Sequence, residues 1–96
     1  MSSPIIKNLL FDDENEEKFA LHGLSAYRVL QVLENTHIIT PNRKKRKGLY
    51  LIIGKDNGGT CIAIPVESTY LSTLWRPITA WICKKGEKTL LDKIED

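Results

Sequence analysis

The chain has 96 residues, 42% of them hydrophobic and 27% charged, with a formal net charge of +2. That length fits one domain, and the composition excludes wholesale disorder. So small a net charge gives no argument for nucleic-acid binding, which must rest instead on where the charges sit. They are unevenly placed. Residues 12–17 hold Asp12, Asp13, Glu14, Glu16 and Glu17, residues 43–47 read Arg-Lys-Lys-Arg-Lys, and Lys84, Lys85 and Lys88 come near the end. No run approaches ~18 apolar residues, so no membrane span is expected. The Met-Ser-Ser-Pro-Ile-Ile-Lys start lacks the charged lead and apolar run of a signal peptide. Cys61 and Cys83 are far apart, with no C-x-x-C and no paired histidines. That pattern excludes the usual zinc sites and a disulfide framework, and a reducing cytoplasm is the expected location.

In chain order, residues 5–11 read as a short extended segment or an ordered arm. Asp13 then fits a helix N-cap, with Glu16 completing a box-like arrangement and acids of the first turn suiting the positive end of the helix dipole. The helix should end at His22-Gly23, because glycine adopts the left-handed conformation that closes a helix. Ser25 begins a second helix whose Ala26, Val29, Leu30 and Leu33 form one apolar stripe. Arg28, Gln31 and Glu34 are expected to face outward, and Asn35 fits the end. Residues 36–40, rich in β-branched side chains, make a strand up to Pro41. Residues 49–53 are apolar throughout, as in a central strand covered on both faces. Asp56-Asn57-Gly58-Gly59 is a hairpin signal, because a primed turn needs positive φ. Residues 61–66 return, 67–74 form a polar loop, 75–83 the last strand, and 87–94 a helix burying Leu90, Leu91 and Ile94. The expected fold is α+β: an antiparallel sheet of about four strands, with two N-terminal helices and a C-terminal helix on one face.

The basic run Arg43, Lys44, Lys45, Arg46 and Lys47 connects two predicted strands and would attract a phosphate backbone, or else form a solvated charged loop. Arg76 opens the last strand, where its planar fork suits a phosphate; the bland alternative is a partner for Glu67 or an acid of the first helix. Trp75, at the strand edge, is a candidate to stack on an unpaired base, whereas Trp81 reads as core. His22 is a candidate general acid or base, although a helix-terminal histidine also suits the negative dipole end. Glu87, with Lys84, Lys85 and Lys88 beside it, fits proton abstraction and phosphate stabilisation, or simply an acid at a helix start. No Ser-His-Asp set, paired-carboxylate metal motif or nucleotide-binding glycine loop is present.

Phe11-Asp12-Asp13, His22-Gly23-Leu24-Ser25, Leu51-Ile52-Ile53-Gly54 and Arg76-Pro77-Ile78-Thr79-Ala80 followed by Glu87 come in an order that resembles the BrnT toxins. The resemblance covers nearly the whole chain. It implies a RelE-like fold and a cytoplasmic ribonuclease toxin that inhibits translation by cleaving RNA and is neutralised by a cognate antitoxin, as a hetero-oligomer. On this analogy cleavage needs no metal or other cofactor, and Arg76, Glu87 and His22 are the catalytic set. The residues themselves offer Arg43 to Lys47, Trp75, Lys84 and Lys85 as RNA-binding groups beside it. The cationic stretches and Arg76 would then converge on one phosphodiester pocket. Two family cations are replaced here, by Leu21 before His-Gly and by Trp81 in the closing motif. A non-catalytic nucleic-acid-binding module and a protein-interaction domain are the alternative readings.

Overall fold

The computed structural model describes residues 4–42 and 49–95. Strand β1 (Asn8–Leu9) leads into helices α1 (Asp13–Leu21) and α2 (Ala26–Glu34). Strands β2 (His37–Pro41), β3 (Tyr50–Lys55), β4 (Cys61–Ser68), β5 (Leu74–Pro77) and β6 (Trp81–Ile82) follow, and helix α3 (Lys85–Glu95) ends the chain. The class is α+β. The sheet has six strands in the order β1-β5-β4-β3-β2, with β6 beside β4. It is mixed rather than antiparallel, because β1 pairs parallel with β5.

Strand alternation separates two faces. Ile52, Ile62, Ile64 and Val66 join Phe19 of α1 and Val29 and Val32 of α2 in the larger core. Ile53, Cys61 and Ala63 turn the other way, onto Leu91 of α3. Helices therefore cover both faces, not one. Only Leu91 of the expected α3 stripe is fully buried, while Leu90 and Ile94 remain exposed.

The start of α1 lies one residue earlier than the acid pattern suggests. Asp12, not Asp13, is the N-cap, and it exchanges hydrogen bonds with Asn15 in a capping box. Asn15 is wholly buried, and its amide donates to the carbonyls of Leu10 and Pro77 at 3.0 and 2.9 Å. Glutamate at this position could supply no such donor. The helix does end at His22, with Gly23 at φ +72°. Ser25 caps α2 through the Arg28 N–H, and Asn35 ends it.

Arg28 and Gln31 do not face outward. Arg28 Nε donates to Asp56 at 2.8 Å, and Gln31 accepts the Asn57 N–H at 2.9 Å. The hairpin they hold is not a two-residue primed turn; among its glycines only Gly59 has positive φ. Asp56 organises the loop instead, accepting N–H bonds from Gly58 and Thr60. Burial alone would raise the Asp56 pKa, but the bonds from Thr60 and Arg28 outweigh it and hold the carboxyl below its ordinary value.

The expected last strand is two short ones. Both β5 and β6 pair with β4, with a gap near Pro65. Pro65 accepts the Ile78 N–H, but it has no N–H to return to that neighbour, and the ladder breaks. Cys83 then lies opposite Cys61, with its N–H donated to the Cys61 carbonyl. The two form a disulfide across a Cα–Cα distance of 5.3 Å. The expectation of no disulfide is thus corrected: two cysteines distant in sequence become cross-strand neighbours once β6 returns along β4. Among the described residues, no helix is long and apolar enough to cross a membrane.

Candidate functional site

Arg76 projects from β5 opposite Glu67 and is held by three carboxylates. Its Nε and Nη2 reach Asp12 at 2.7 and 3.2 Å, Nη1 reaches Glu67 at 3.0 Å, and Nη2 also reaches Glu14 at 2.9 Å. Each guanidinium nitrogen is therefore engaged. The Asp12 bond and the neighbouring acids hold Arg76 protonated well above the titratable range, and the same bond lowers the Asp12 pKa. This arginine clamps the start of α1 to β4 and β5. To seat a phosphate there, three acids would have to be displaced.

A second cluster forms around β6. His22, Trp81, Ile82 and Lys84 line an open recess of about 390 Å³. His22 comes from the C-cap of α1, while the other three come from β6 and the turn into α3. Lys84 precedes α3, and Glu87 accepts its N–H at 2.8 Å, which is half of a capping box. The same carboxylate accepts the Trp81 indole N–H at 3.0 Å. Glu87 thereby fixes both the tryptophan wall and the lysine backbone. The Lys84 ammonium lies 5.9 Å from the centre of the Trp81 ring, within cation–π range.

The candidate residues thus divide into two groups. His22, Lys84 and Glu87 come together, with Lys85 exposed at the start of α3. Arg76 does not join them. Its partner Asp12 caps the start of α1 and His22 the end, which at ~1.5 Å per residue puts ~15 Å of helix between them. Along β4 the separation agrees, since Arg76 pairs with Glu67 and Trp81 with Ala63, roughly 13 Å at strand rise. Arg76 therefore does not share a recess with His22 and Lys84. Trp75 is not an open stacking platform either: it is 7% exposed, edge-on to Tyr50, and its indole N–H donates to Ser72. Arg43, Lys44, Lys45, Arg46 and Lys47 lie outside the described residues.

Trp81 packs against the smaller core, as expected, and its partly exposed side also walls the recess, a second role that its place in the sequence does not reveal. The sequence does not mark Ile82 as part of the wall either. Among the described residues, no three His, Cys, Asp or Glu side chains gather in a way that could hold a metal ion. No protein-family model and no curated protein matches the chain, so its chemistry is read from the recess itself.

Proposed function

We propose that the chain is a ribonuclease of the toxin class, BrnT-like and of RelE-like fold, acting on RNA in the cytoplasm and restrained by a cognate antitoxin. The observation that carries the reading is the meeting of an imidazole, an ammonium and an indole in one open recess, assembled from α1, β6 and the start of α3. Those groups suit a phosphodiester beside an unpaired base: the ring wall stacks, the cation meets phosphate, and the imidazole moves a proton. In the proposed reaction the RNA 2′-oxygen bonds to the adjacent phosphorus as His22 takes its proton. The bond from phosphorus to the 5′-oxygen breaks, and that oxygen receives the proton. The products are a 2′,3′-cyclic phosphate and a 5′-hydroxyl. Lys84 offsets the extra negative charge on the crowded phosphate, and Glu87 positions Trp81 and Lys84 without touching substrate.

A non-catalytic RNA-binding module is the second reading, favoured by the engagement of Arg76 with Asp12, Glu14 and Glu67. Induction of the chain in bacteria separates the two. The enzyme reading predicts growth arrest with loss of transcripts, relieved by His22→Ala. Unchanged growth and intact transcripts would remove the enzyme reading and leave the non-catalytic ones.

A further inference from the structure

The disulfide lies next to the recess, and we propose that it acts as a redox latch on that recess. Strand β6 pairs with β4 at Ile62 with Ile82 and at Ala63 with Trp81, and the Cys83 N–H adds one bond to the Cys61 carbonyl. The Cys61–Cys83 bond closes the rung beyond them. Between them, β6 and the residues following it supply Trp81, Ile82 and Lys84, three of the four residues lining the recess. One covalent bond thus fixes most of one wall. Its neighbours amplify the effect. Trp81 and Lys84 share the Glu87 carboxylate, so movement at Cys83 reaches the start of α3 through two hydrogen bonds.

Cys61 is a buried residue, whereas Cys83 is partly exposed on the short edge segment. In the proposed reduction a dithiol attacks at Cys83. Its thiolate bonds to the Cys83 sulfur and expels the Cys61 thiolate, which takes up a proton. The second thiol of the reductant then displaces Cys83, so the reductant leaves as a disulfide and both cysteines end as thiols. The exchange transfers two electrons and needs no other reactant. With the bond open, β6 keeps its short ladder, the Cys83 N–H bond and the Trp81–Glu87 bond, and such a segment opens locally without unfolding the sheet. The larger core, around Phe19, Val29, Val32 and Ile64, contains neither cysteine.

The latch concerns the recess proposed for RNA cleavage, but its test requires no cleavage. Amide hydrogen exchange is followed with and without dithiothreitol, and again on the Cys61→Ser, Cys83→Ser double variant in its oxidant-independent state. The latch predicts that exchange at residues 81–84 and at the Trp81 indole accelerates at least about tenfold on reduction. Protection in β3 and α2 stays unchanged, and the double variant matches the reduced protein. Unchanged exchange at 81–84 would overturn the latch. So would loss of protection throughout β3, because the bond would then support the whole fold. If RNA stays uncut while exchange responds, the ribonuclease reading fails and the latch stands.

Discussion

Arg76 joins Asp12, Glu14 and Glu67 in one charged network between β5 and the start of α1. Its side chain is 19% exposed, whereas those of Asp12, Glu14 and Glu67 are 38%, 68% and 44% exposed. Solvent screening keeps each pair weak, but the Asp12 pair is two-pronged and the four groups form one network. Arg76→Ala leaves three carboxylates facing one another, and urea unfolding should show a loss of about 1–2 kcal/mol. A variant as stable as the parent would remove the clamp from the account. Acid titration reads the same network. Asp12 and Asp56 both sit below their ordinary value of 3.8 in the fold. The stability they contribute is present above that value and is lost as pH falls through the lower folded values. The urea midpoint should therefore drop as pH falls below 3.8, with a smaller drop in Asp56→Asn.

At the scale of elements, the contacts between α2 and β3 demand a glycine. A Cβ on Gly54 would lie 2.8 Å from the His37 Cβ and 2.9 Å from Val32 Cγ1. Gly54→Ala must push α2 or β2 away, at a cost of about 1–3 kcal/mol in thermal or urea unfolding. Equal stability would show that this contact relaxes freely. Among the described residues of α3, Leu91 is the one buried anchor, so Leu91→Ala should cost about 2–4 kcal/mol and release the helix before the sheet melts. Near-ultraviolet dichroism from Trp81 against far-ultraviolet dichroism checks that order. Coincident transitions would contradict it. The helices were legible where local chemistry decides them: Ser25 and Asn35 bound α2, and Gly23 ends α1. The N-cap register was not, because Asp12 and Asp13 are equally good caps in isolation. Asn15 decides between them through the Pro77 carbonyl, which belongs to the far end of the chain.

For the whole molecule, the decisive facts are pairings between distant segments. Strand β4 pairs with β3 and also with β5 and β6, and those contacts set the two faces, the disulfide and the recess. No local pattern contains them. The break at Pro65 has its cause in one residue, yet its effect falls on another strand. The same holds for the site. His22, Lys84 and Glu87 were legible as chemistry-bearing residues, but their assembly without Arg76 follows from α1 spanning the distance between the two clusters. The proposed cleavage at the recess is checked by incubating the purified protein with end-labelled single-stranded RNA. Fragments ending in 2′,3′-cyclic phosphate are expected, with a fall of about 10²–10⁴-fold in rate for a folded His22→Ala variant. RNA left whole by the parent protein, or cut equally fast by His22→Ala, would contradict it.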